Sequence, residues 1–287
     1  MKRDWNEAVL GNRRPLEPLP TEIKPKLGDL SAVRAVIFDI YGTLVVSGSG
    51  DVGVADETAK GDQIATAMKA VGLPINSTPT IEQLHGVIRK NNDARRSETC
   101  PKPEVDIVEC WRETLVECGI SASTEQSSRL AAEYESRANP TWPMPGASDL
   151  LRTLAAKGLM LGIVSNAQGF TLSLVEDIAG PFGIDSAFDS NLCVFSNRYR
   201  QAKPGPRLFE VLVAGLGRRG IMPQDAVYVG NDRLNDVWSA HEAGLRTAWF
   251  AGDRRSLRDR SEDPRVADLP HDIVLTHLSQ LVDCFST

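Results

Sequence analysis

Four stretches of this 287-residue chain carry side chains whose type and spacing suit chemistry. The first runs from Val33 to Thr43, an apolar segment too short for a typical helix, rich in branched and aromatic residues and closed by Gly42. It reads as a strand buried on both faces. Asp39 then lies at the strand's carboxyl end, the edge where parallel sheets form their ligand crevice. The same aspartate also suits the capping of the next turn.

The second stretch, Leu161 to Asn166, is a strand ending in a hydroxyl and an amide. Ser165 serves there either as a cap for a following helix or, with exposed backbone N–H groups, as a seat for a phosphate oxygen. In the third, Gln201 to Pro206, Lys203 stands before Pro204 and Gly205 at the start of a helix, so its backbone is fixed and its ammonium can be aimed. The fourth runs from Tyr228 to Asp236. Asp232 ends a strand there, and Asp236 follows one helical turn later on the same side. Two carboxylates so spaced repel unless a cation lies between them, and hard oxygen ligands suit Mg²⁺. Capping by Asp232, with Asp236 in a helix's first turn, is the alternative.

Phe38-Asp39-Ile40-Tyr41-Gly42-Thr43-Leu44 resembles the first motif of the haloacid dehalogenase superfamily of hydrolases, in its DxYGTL form, and the other stretches resemble its later motifs in the right order. The resemblance implies a Rossmann-like parallel sheet core with an inserted helical cap of the C1 type. It makes Asp39 the nucleophile that forms an aspartyl-phosphate, and it makes Tyr41, Ser165 and Lys203 catalytic. Gly42, Thr43, Ser165, Asn166 and Lys203 would hold the phosphoryl group. Mg²⁺ would be held by Asp39, the main-chain carbonyl of Tyr41 and Asp232, with Asp236 close behind. The implied activity is Mg²⁺-dependent hydrolysis of a small phosphorylated metabolite.

One position departs from the phosphatase pattern. Most phosphatases of the superfamily carry a second aspartate two residues after the nucleophile, and this chain has Tyr41. A phenol with an ordinary pKa of about 10 donates a proton at neutral pH but makes a poor base. Tyrosine here resembles the L-2-haloacid dehalogenase branch, which displaces halide from carbon without a metal. That branch draws an arginine from its cap about one helix past the nucleophile, whereas no arginine occurs between Arg34 and Arg89. A third reading is a catalytically weak binding or regulatory protein on the same fold.

The elements needed to position these residues are legible as an α/β alternation. From Val54 to about Asn139 no strand is evident, and apolar residues recur at helical spacing, as in Val108, Trp111, Leu115 and Cys118. Helices are expected near 54–71, 80–97, 102–118 and 124–138, the second opened by a Thr80/Gln83 capping box. Beyond Pro140 to Gly146, strands at 159–164, 191–195, 226–229 and 245–250 alternate with helices, including 207–216 and 232–243. Alternation of this kind implies a parallel sheet with helices on both faces. The expected domains are an irregular extension over 1–30, a core of 31–47 and 141–287, and a helical cap over 48–140. The extension reads either as a loosely held tail or as a segment draped over the body.

Composition frames the rest. With 41% hydrophobic and 24% charged residues the chain is of ordinary globular type, and its net charge of -6 opposes nucleic-acid binding. No apolar run approaches the ~20 residues of a spanning helix, and the amino terminus lacks a signal-peptide core, so a cytoplasmic enzyme acting on a small molecule is expected. Cys100, Cys110, Cys118, Cys193 and Cys284 show no metal-ligand spacing and read as reduced packing residues. His85, Arg89, Arg95 and Arg96 are candidates for anion contacts or for a solvated helix face. Trp111, Trp142, His241 and His271 read as structural.

Overall fold

The structure, a computed structural model, describes residues 5–49, 57–180, 183, 187–267, 269 and 273–285. The expected first turn of the 54–71 helix and His271 lie outside them. Strand β1 (Ala35–Phe38) is fully buried, as its apolar run predicts. It pairs in parallel with β4 (Met160–Ser165) on one side and with β6 (Ala226–Gly230) on the other. With β5 (Cys193–Phe195), β7 (Arg246–Phe250) and β8 (Ile273–Leu275) these strands form one parallel sheet in the order β5-β4-β1-β6-β7-β8. The chain builds outward on the β4 side first and then returns to the β6 side, so the strand order reverses at β1. A crevice opens at the carboxyl ends of such a switch point.

Between β2 (Val45–Ser47) and β3 (Thr141–Pro143), an antiparallel pair that leaves and rejoins the core, lie helices α2 (Glu57–Ala70), α3 (Ile81–Arg95), α4 (Ile107–Glu117) and α5 (Thr124–Ala138). The Thr80/Gln83 capping box forms, and Ser123 with Gln126 makes another at the start of α5. Each satisfies two backbone donors that a helix start otherwise leaves open. Trp111 is fully buried against Tyr134, ring centroids 5.2 Å apart.

Two expectations change. Over residues 1–30 the chain is not wholly irregular: α1 (Asn6–Gly11) buries Ala8 and Val9. In place of one α-helix over 232–243, a π-helical turn, Arg233–Trp238, precedes a short helix, Ser239–Glu242. The wider turn lets both Asp236 N–H and Val237 N–H donate to the Asp232 carbonyl, at 2.9 and 3.2 Å. Helices α6 (Ala147–Ala156), α7 (Thr171–Ala179) and α8 (Arg207–Arg218) complete the layers flanking the sheet.

Candidate active site

Asp39 emerges from β1 at the switch point, 7% exposed, and Lys203 Nζ donates to its Oδ1 at 2.9 Å. The same ammonium donates to Oδ1 of Asp236 at 2.5 Å, to Tyr228 Oη at 2.8 Å and to the Val164 carbonyl at 3.2 Å. Burial works against the Lys203 charge, but Asp236 and Asp39 outweigh it and hold the ammonium above its usual range. Burial likewise pushes the Asp236 carboxyl up to about 7; Lys203 opposes the shift, and Asp39 and Asp232 add to it. One cation therefore serves two buried carboxylates.

Asn166 does not point its amide at a ligand. Its Oδ1 accepts from Lys203 N–H at 2.7 Å and its Nδ2 donates to the Lys203 carbonyl at 3.3 Å, so it clamps the lysine's backbone. Ser165 Oγ, 1% exposed at the end of β4, has no hydrogen-bond partner. Gly42 and Thr43 shape the loop after Asp39: Gly42 N–H donates to the Val45 carbonyl at 2.7 Å and Thr43 N–H to the Ile40 carbonyl at 3.2 Å. Gly42 has φ of +77°, and a Cβ there would strike Ser256 and Asn231. The Thr43 hydroxyl is fully buried and donates to Asn231 Oδ1 at 3.3 Å. With these donors spent inside the loop, Gly42 and Thr43 support the site without offering the anion contacts expected of them.

The expected Mg²⁺ ligands Asp39, Tyr41, Asp232 and Asp236 line one cavity, and the later two carboxylates have other partners. Asp232 faces its own helix start: Oδ1 accepts from the N–H groups of Leu234 and Asn235 at 2.9 and 3.0 Å, and Oδ2 pairs with Arg260 Nη2 at 2.9 Å. Asp236 spends Oδ1 on Lys203 and Tyr228, and Oδ2 on Asp232 N–H at 2.9 Å. Strand β6 ends at Gly230, and the residue whose side chain meets the Asp39 loop is the neutral Asn231. Among the described residues no group of three or more His, Cys, Asp or Glu stands so as to hold a metal ion. The set the sequence suggested for Mg²⁺, two carboxylates and the main-chain carbonyl of Tyr41, lies along this cavity with Lys203 and Arg260 as the cations against its carboxylates.

A cavity of about 460 Å³ opens above Asp39 and Lys203. From the core it is lined by Tyr41, Asn166, Asn231, Asp236 and Arg258, and from the helical segment by His85, Ile88, Glu104, Ile107 and Glu135. Of the anion candidates only His85 lines it; Arg89 pairs with Glu82 at 3.6 Å and Arg96 with Asp93 at 3.7 Å. Tyr41 Oη lies 3.0 Å from Thr171 Oγ1, and burial, reinforced by Glu135, raises its ionisation well above the ordinary phenol range. Tyr228, Asn231, Glu135 and Arg258 were not foreseen. Tyr228 was the one within reach, a polar aromatic in a buried strand two residues before a glycine and beside the fourth stretch.

A buried carboxylate paired with an aimed lysine thus lies at the switch point of a parallel sheet, under a helical cover. The haloacid dehalogenase-like hydrolase family matches residues 33–244, and the chain belongs to that family. It is 30% identical over 164 residues to the phosphoserine phosphatase of Thermus thermophilus, a match covering 55% of this chain and 60%, less than two thirds, of that protein. To the phosphoglycolate phosphatase of Escherichia coli it is 27% identical over 224 residues, 74% of this chain and 79% of that one. The 2-haloacid dehalogenase of Pseudomonas syringae pv. Tomato shares the fold at a TM-score of 0.58 and 22% identity, covering 88% of this chain and 97% of that one. A phosphatase structure from Thermococcus onnurineus shares it at 0.51 and 19%, over 88% and 97%.

Proposed function

We propose that this hydrolase acts on a small phosphate monoester through an aspartyl-phosphate on Asp39, with residues 48–140 as a C1-type cap over a core of 31–47 and 141–287. The observation that carries the reading is the 2.9 Å contact of Lys203 with Asp39 at the floor of the cavity. The lysine holds the nucleophile aimed, and its charge is set to meet that developing on the phosphoryl oxygens. Ser165, whose buried hydroxyl lacks a partner, is suited to one of those oxygens. Phosphatases are also the activities named for the sequence relatives above. Where the resemblance implied Mg²⁺, the cation against Asp39 is Lys203, and the reading invokes no metal step.

Two observations favour dehalogenation as the second reading: the Asp232 carboxylate is paired with Arg260, and a tyrosine follows the nucleophile by two residues. No arginine of the helical segment lines the cavity among the described residues, which weighs for the phosphatase. The deciding experiment incubates the protein with p-nitrophenyl phosphate or acetyl phosphate, with and without Mg²⁺, and with 2-chloropropionate. Phosphate release abolished in Asp39→Asn supports the proposal. Chloride release supports the dehalogenase, and more than about a tenth of wild-type phosphatase activity in Asp39→Asn removes Asp39 as the nucleophile.

A further inference from the structure

Hydrolysis through an aspartyl-phosphate needs a proton for the leaving oxygen and later a base for water. Tyr41, which stands where such a group is looked for, makes a poor base: burial keeps its phenol protonated, and its hydroxyl lies 3.0 Å from Thr171 Oγ1. Most other carboxyls lining the cavity are committed as well. Asp236 is tied to Lys203 and Tyr228, Asp232 to its helix cap and Arg260, and Glu104 accepts from Ser196 Oγ at 2.8 Å and Val105 N–H at 2.9 Å.

Glu135 differs. It reaches the cavity from α5 and shares its lining with Asp39 and Tyr41, and among the described residues its carboxyl has one hydrogen-bond partner, Asn139 Nδ2, at a long 3.4 Å. Asn139 is itself fixed, 4% exposed, its Oδ1 accepting from Ser47 Oγ at 2.8 Å and Ser49 N–H at 3.2 Å. The strand that leaves the nucleophile thus anchors the residue that steadies Glu135. His85, on α3, shares the cavity but inclines toward Glu82, 3.9 Å from its Nδ1.

We propose that Glu135 of the helical segment is the catalytic acid and base of this site, in the role that Tyr41 cannot fill. This rests on the phosphatase reading above. In the first step an Asp39 carboxylate oxygen bonds to phosphorus, the bond from phosphorus to the leaving oxygen breaks, and the Glu135 carboxyl gives its proton to that oxygen, releasing an alcohol. In the second, the Glu135 carboxylate takes a proton from water as the water oxygen bonds to phosphorus. The bond to Asp39 breaks, inorganic phosphate leaves, and the Glu135 carboxyl is restored. Burial keeps that carboxyl protonated to higher pH than an ordinary glutamate, against the weaker pull of Asn139.

The test compares full-length wild type with Glu135→Gln on phenyl phosphate, whose leaving group needs a proton, and on p-nitrophenyl phosphate, whose leaving group needs little. The expected result is a loss in kcat of about 10²-fold or more on phenyl phosphate and a several-fold smaller loss on p-nitrophenyl phosphate, with KM little changed. Glu135→Asp, which keeps the acid but draws it back, should show the same selectivity in weaker form and gives a reading if Glu135→Gln does not fold. Equal losses on both substrates, no loss on either, or a selective loss in His85→Gln in place of Glu135→Gln overturns the assignment. Wild type inactive on both substrates, or active Asp39→Asn, instead brings down the phosphatase reading and this proposal with it. An inactive Asp39→Asn beside a non-selective Glu135→Gln sinks Glu135 alone.

Discussion

Lys203 Nζ and Asp236 Oδ1 stand 2.5 Å apart in the floor of the site, and Asp39 shares the same ammonium. Removing one member of a buried ion pair costs about 3–5 kcal/mol, because the partner's charge is left uncompensated. Lys203→Met strands two carboxylates, so it should lower the unfolding free energy by at least that amount and abolish turnover. Asp236→Asn leaves Lys203 and Asp39 as a one-to-one pair and should cost less. Urea denaturation of both variants checks the order; equal costs would mean that the lysine compensates Asp236 alone.

Asp232 caps the π-helical turn and pairs with Arg260, so its loss should be felt in stability. Asp232→Ala should cost about 0.5–2 kcal/mol for the cap. An ion held by this carboxylate would raise the melting temperature of wild type by mass action and not that of the variant. The expectation is that any shift of Tm on adding Mg²⁺ is the same in both proteins, read by thermal melts with EDTA and with Mg²⁺.

Much of this site was legible because its anchors follow buried strands. The apolar run before Asp39 and the Pro-Gly pair after Lys203 mark where backbone turns from sheet to loop, and those residues do meet. The amphipathic helices α3, α4 and α5 were visible from their period and capping boxes. Harder to read was anything decided by one residue of register. Which partners the Asp232 carboxylate takes depends on β6 ending at Gly230 and on a turn with one residue more than an α-helix, and neither leaves a period in the sequence. Strands β2, β3 and β8 have three residues each, too short to alternate detectably. Glu135 looked like one polar residue among many on α5, since its role arises from a cavity wall about a hundred residues away in sequence from Asp39.

Helix α1 joins the helical segment to the core. Trp5 Nε1 donates to Ser128 Oγ at 2.8 Å on α5, and Asn12 Nδ2 donates to Ser136 Oγ at 2.9 Å on the same helix. Arg13 pairs with Asp177 on α7, and a Cβ at Gly169 would lie 2.7 Å from the Trp5 ring. The double variant Trp5→Ala/Arg13→Ala removes the apolar contact and leaves Asp177 unpaired, so it should destabilise the protein by about 2 kcal/mol or more. Limited proteolysis should at the same time cut the linkers beside β2 and β3 faster than in wild type. An unchanged urea midpoint would mean that α1 only rests on the surface.

Glu104 fastens the other end of the helical segment to the core, through Ser196 and through its own N–H to the Arg200 carbonyl at 3.0 Å. Burial raises its pKa, while Ser196, the Val105 N–H and Arg200 oppose the shift. A carboxyl whose folded pKa lies above its unfolded value of about 4.3 binds its proton more tightly in the native state. Its contribution is therefore fully present below the unfolded pKa and is lost as pH rises through the folded one. Glu104→Gln has no proton to lose, so its unfolding free energy should fall less steeply than wild type's between about pH 4 and neutrality. Urea denaturation at several pH values gives both slopes, and parallel slopes would mean that Glu104 is solvated as an ordinary surface carboxylate.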